Sequence, residues 1–104
     1  MKFNGNMVKQ AQKMQAQMMQ VQQKLAEERV EGNAGGGMVR AVFTGQGDLI
    51  EVRIDPEIIR PDEAGMLEDL ITVAVNDGLQ KSRELAGERM GVLTGALGSL
   101  GLGF

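Results

Sequence analysis

Between residues 66 and 75 the chain reads Met-Leu-Glu-Asp-Leu-Ile-Thr-Val-Ala-Val, and few small folds can house such a segment. Wound as a helix, Met66, Leu67, Leu70, Ile71, Val73, Ala74 and Val75 take more than half of its circumference. Only Glu68, Asp69, Thr72 and Asn76 form a polar strip. A helix this apolar has to be covered on more than one side. With 104 residues the chain is one domain at most, so its own covering elements are few. A second copy is expected to supply the rest.

The remaining segments are read from their periods. Asn4 or Asn6 can cap a helix that runs over 6–28, since Met7 to Glu28 contains no Gly or Pro. Met7, Ala11, Met14, Met18, Val21 and Leu25 give it a heptad seam. The period changes over 30–54. Gly32-Asn33-Ala34-Gly35-Gly36-Gly37 breaks the helix, and Val39, Ala41 and Phe43 then alternate with more exposed types. After Gly45-Gln46-Gly47-Asp48, Ile50, Val52 and Ile54 do the same, which predicts an antiparallel hairpin; Val30 and Glu31 can add a preceding strand. Asp55-Pro56 ends the sheet. A second helix is expected over 62–90, with Asp62 as its cap or first-turn acid. Its later half narrows to a seam of Val75, Leu79, Ser82, Ala86, Met90 and Leu93, weakened by Gly78 and Gly87. Residues 91–104, with five Gly, are expected to form a flexible tail.

The pieces predict an α+β fold: a long N-terminal helix, an antiparallel hairpin or three-stranded meander, and a long C-terminal helix. The two seams are expected to zip as an antiparallel arm. A homodimer with a shared sheet base and two projecting helical arms follows. Its base and core are expected to use Val39, Ala41, Phe43, Ile50, Val52, Ile54, Leu67, Leu70 and Ile71.

Composition removes several chemistries. Without Cys or His, and with Ser82 and Ser99 as its only serines, the chain offers no thiolate nucleophile, no Ser-His relay and no Cys/His zinc site. Neither an enzyme nor a cofactor, metal or small-molecule substrate is expected. No secretory signal or membrane span is seen, which predicts a cytoplasmic protein. Charge is uneven. Residues 1–26 hold Lys2, Lys9, Lys13 and Lys24 and no acid, a charge of +4, while residues 27–104 carry seven bases and fourteen acids, −7. That asymmetry points to an anionic partner. Lys9, Lys13 and Lys24 fall within an arc of about 60° on the first helix, about 130° from the seam. A lysine stripe suits phosphate contact, since an ammonium needs no base geometry.

Ile54-Asp55-Pro56, Met66-Leu67-Glu68-Asp69-Leu70-Ile71 and Val75-Asn76-Asp77-Gly78-Leu79 come between Gly35-Gly36-Gly37-Met38-Val39 and Met90-Gly91-Val92-Leu93-Thr94-Gly95. In that order, over nearly the whole chain, they resemble the YbaB/EbfC family. The resemblance implies a small homodimeric, nucleoid-associated bacterial protein that binds DNA, whose dimers are tweezer-like with helical arms, and that has no enzyme activity; phosphate contact by the lysine stripe makes double-stranded DNA the expected partner. Gly78 stands where that family commonly carries Ala, and the Gly/Leu ending also departs from its pattern.

The candidate DNA contacts are therefore Lys9, Lys13 and Lys24, followed by Lys81, Arg83 and Arg89 on the second helix. Arg29, Arg40 and Arg53 lie nearer the base and are expected to meet its carboxylates. Three Phe and no Tyr or Trp leave no stacking platform for single strands. Gly35-Gly36-Gly37 precedes a strand rather than a helix, so it is a turn and not a phosphate loop. The alternative function is a protein-interaction scaffold whose arms grip a partner.

Overall fold

Gly32 and Gly78 decide where the second helix lies. A Cβ at Gly32 would overlap the Ala74 carbonyl oxygen and the Gly78 nitrogen, and one at Gly78 would stand 2.6 Å from the Phe43 ring. Helix and sheet therefore meet backbone to backbone, an approach that glycine permits and a side chain blocks.

The computed structural model describes residues 5–99, with side-chain surroundings for residues 5–92. Helix α1 (Gly5–Glu27) is followed by strands β1 (Arg29–Ala34), β2 (Val39–Thr44) and β3 (Leu49–Ile54), then helix α2 (Ala64–Ser99). The strands form an antiparallel meander in the order β1-β2-β3. The alternation at Val39, Ala41 and Phe43 holds: all three are buried, together with Ala34 and Ala74. Gly35, Gly36 and Gly37 all have positive φ and make the β1–β2 turn, as the three glycines suggest. Asn6 lies inside the first turn of α1 rather than before it, and Asn4 is outside the described residues. Asp62 sits in a short 3-10 turn, Pro61–Glu63, that leads into α2.

Strand register and helix length go beyond what the local pattern sets. Alternation alone sets Ile50 across from Phe43, but a bulge at Val42/Phe43 puts Leu49 there instead. Of residues 91–104, those up to Ser99 are helical, and 100–104 lie outside the described residues. Gly91 and Gly95 each disfavour helix by about 1 kcal/mol, yet α2 is already nucleated on the sheet, and extending a helix is far easier than starting one.

Coverage of the sheet is one-sided. Helix α2 packs mainly over β1 and β2. Val52 lies opposite the buried Ala41, yet it is 38% exposed, and Ile50 is 49% exposed. Ile54, Leu67, Leu70 and Ile71 are half-buried against the core. The chain is long, 70 × 20 × 19 Å, with a radius of gyration of 20.0 Å, against about 13 Å for a compact domain of this size. Beyond the sheet, α2 is held by the buried Ser82 hydroxyl, which donates to the Thr44 carbonyl at 2.8 Å.

The crossing predicts opposite effects for two glycines. Gly32→Ala should cost roughly 1–3 kcal/mol or more through overpacking. Gly87→Ala meets open space on α2 and should gain up to about 1 kcal/mol. Urea unfolding midpoints report both; a harmless Gly32→Ala would disprove the close crossing.

Candidate nucleic-acid interface

Helix α1 leaves the base at Leu25, its one buried residue. Gly45 makes the departure tight: its N–H donates to the Leu25 carbonyl at 2.8 Å, and a Cβ there would lie 2.7 Å from that oxygen. The helix then runs antiparallel to α2. Leu25 shares a groove with Ser82 and Ala86, and Val21 shares another with Arg89 and Val92.

The line of contact differs from the expected seam. Met14, Gln17, Val21, Leu25 and Glu28 are shielded, whereas Ala11 is exposed and Met18 is 44% exposed. A straight α-helix drifts by about 20° per heptad from a 3.5-residue repeat. Ala11 and Met18 drift out of the contact and Gln17 drifts in. Val8 and Met19 are exposed as well, so α1 carries an uncovered apolar flank.

Lys9, Lys13 and Lys24 are all exposed, about 60° to 120° around the helix from the contact line. None has an ion-pair partner among the described residues. Lys2 lies outside the description. Lys24 borders an open groove of about 600 Å³ between the helices, with Gln17, Gln20, Glu27, Arg89 and Val92. The structure thus brings Lys24 and Arg89, 65 positions apart in sequence, into one cleft.

The weaker candidates are not equivalent. Arg83 is exposed on the opposite flank, beside Leu25 and Met90. Lys81 is engaged: its ammonium is 3.0 Å from Asp77 and donates to the Glu31 carbonyl at 3.1 Å. Arg89 grips Glu28 through Nη2 to Oε1 and Nε to Oε2. Nothing in the one-dimensional pattern marks Glu28 as its partner, because the two lie 61 residues apart. Near the base, Arg40 pairs with Glu31 and Arg53 with Glu51. Arg29 instead donates to the Ala26 and Glu28 carbonyls, closing the end of α1. Among the described residues no group of carboxylates could hold a metal ion, and no helix is long and apolar enough to cross a membrane.

Known proteins resemble this chain in sequence and in fold. Residues 1–97 match the YbaB/EbfC DNA-binding family. A nucleoid-associated protein of Saccharopolyspora erythraea is 52% identical, over 88% of this chain and 78% of its own. One from Acetivibrio thermocellus is 48% identical, over 92% and 85%. A crystal structure of an uncharacterized Helicobacter pylori protein shares the fold, with a TM-score of 0.71 at 24% identity, over 92% of this chain and 99% of that one.

Two carboxyls at this interface titrate below their usual range. The hydrogen bond from Arg89 lowers Glu28 from its ordinary 4.5, aided by the charges of Arg89 and Lys24. The Asn33 N–H, donating at 3.0 Å, lowers Asp77 from its ordinary 3.8, and Lys81 adds to the effect. A lowered carboxyl stabilises the fold above its unfolded pKa, and the contribution disappears as pH falls through the folded value. Asp77→Asn should therefore lower the melting temperature at pH 7, and the gap from the native chain should narrow as pH drops below about 3.8. A gap that stays constant down to pH 2 would show that the charge of Asp77 does not matter.

Proposed function

Because this chain belongs to the YbaB/EbfC DNA-binding family, we propose that it binds duplex DNA as a homodimer, through phosphate contacts along its helical arms. The observation that carries this reading is the exposed lysine stripe of α1, in a segment, residues 1–26, that holds no acid. Lys9, Lys13 and Lys24 are its principal contacts, and Arg83 and Arg89 add to them. Lys81 is the weakest, since Asp77 already holds it. The nucleoid is the place of work this implies, with DNA organisation and gene regulation as its roles.

The dimer is supported by what one chain leaves open. Ile50 and Val52 on β3, and Met66 and Val73 on α2, are all large apolar residues in water. Covering them with a second copy would give the apolar start of α2 the further cover it requires. Sedimentation at micromolar concentration should give twice 11.2 kDa. A well-folded monomer would refute the assembly.

Phosphate contact has a salt signature. Six stripe lysines in a dimer would give a slope of log K against log salt of up to about −5, at 0.9 per phosphate. Replacing Lys9 and Lys13 together by Ala should shrink its magnitude by up to roughly 3–4, equally on unrelated duplexes. Melting temperature should hardly change, because both side chains point into solvent. The uncovered flank at Val8, Met18 and Met19 favours the second reading, a protein-gripping scaffold. A scaffold shows no salt-dependent DNA binding, so unchanged binding in the double variant would leave the stripe as a solvated face.

A further inference from the structure

Arg89 is the strongest phosphate ligand in the cleft by chemistry, because a guanidinium fork takes two oxygens at once. In the free chain that fork is already filled. Nη2 donates to Oε1 of Glu28 and Nε to Oε2 at 3.4 Å, the two-oxygen pattern that a phosphate would present. Glu28 is not a drifting surface acid. It follows directly on the last residue of α1, its carbonyl accepts from the Gly45 N–H at 3.2 Å, and its own N–H donates to Lys24 at 3.0 Å. The base thus holds the main chain of Glu28, and its carboxylate meets Arg89, a residue that lines the cleft. The charge of Lys24, one helical turn back, adds to the lowering of the Glu28 carboxyl. Glu27 lies on the same cleft, so the groove that holds two candidate cations holds as many acids nearby.

The geometry points to Glu28 as a built-in stand-in for a DNA phosphate, occupying Arg89 until a duplex displaces it. This rests on the phosphate-binding reading above and deepens it. Arg89 then joins the contact only when the phosphate wins the exchange, and DNA binding is weaker than the count of cations implies. The exchange also releases the side-chain link between the α1–β1 junction and α2. Loading the cleft therefore loosens the root of the arm.

Fluorescence anisotropy on one short duplex at several salt concentrations tests this. The proteins are the native chain, Glu28→Gln, Arg89→Ala and the double variant, each checked for helix content and melting. Glu28→Gln keeps the shape and removes the competing charge. It should tighten binding by at least about fivefold at 0.1 M salt and steepen the salt slope by up to about 2 in the dimer, one new phosphate per chain. In the Arg89→Ala background the same substitution should bring little gain. Unchanged or weaker binding by a folded Glu28→Gln would overturn the inference and leave the lysine reading intact. An equal gain with and without Arg89 would overturn it too, since Glu28 would then act only as a general negative charge. If the native chain binds no duplex, the phosphate reading itself fails and takes this inference with it.

Discussion

Everything distal in this molecule depends on the contact between Gly32 and the Ala74–Gly78 turn of α2. Ordinary side chains would hold a helix and a sheet about 10 Å apart. Here one backbone lies on another, with the Phe43 ring packed at Gly78. That contact pins α2 over β1 and β2 and leaves Ile50 and Val52 of β3 exposed. It also fixes the direction in which α2 runs off the sheet, so Ser82 reaches Thr44 and Arg89 reaches Glu28. A residue that weakens helices in isolation here makes the docking possible, because burial outweighs a propensity cost of about 1 kcal/mol.

The arm is built on different physics. Only Leu25 is buried on α1, and most of the contact line is half-shielded. Its order comes from the closure at Gly45, from Gln46 donating to the Gln22 carbonyl at 2.9 Å, and from the Glu28–Arg89 pair. These are polar tethers near the root. Outward from Val21 only Met14 and Gln17 are partly shielded, and the helix draws on its own propensity, with Gln, Ala, Met and Lys as good formers and neither Gly nor Pro after Gly5. A helix held at one end presents its outer turns almost wholly to solvent.

Much of this was legible in the residues. The period change at Gly32, the turn at Gly35-Gly36-Gly37, the buried alternation of Val39, Ala41 and Phe43, and the half-buried seam at Val75, Leu79, Ala86 and Met90 each follow from local pattern. The failures share a cause. The bulge at Val42/Phe43, the replacement of Met18 by Gln17 on the contact line and the continuation of α2 to Ser99 all depend on how elements meet in space. Glu28 was invisible for the same reason: an isolated acid beside Glu27 acquires meaning only when α2 brings Arg89 across. The lysine stripe was legible as a charge pattern, and its exposure follows from the tilt of α1, which no window of sequence contains.

The division between base and arm separates stability from binding. The apolar groups that hold the fold lie on β1, β2 and the first half of α2, while Lys9 and Lys13 touch none of them. Charges on the arm can thus change without disturbing the core, and on the proposed phosphate reading affinity for a polyanion can be adjusted one lysine at a time. Arg89 and Glu28 break that separation. They stand where the arm joins the base, and each stabilises the other's charged form. A polyanion that takes Arg89 must compete with a bond of the fold, and by linkage it loosens what that bond secures. On the proposed reading, binding at the outer lysines leaves the fold untouched, whereas binding at the root is coupled to it.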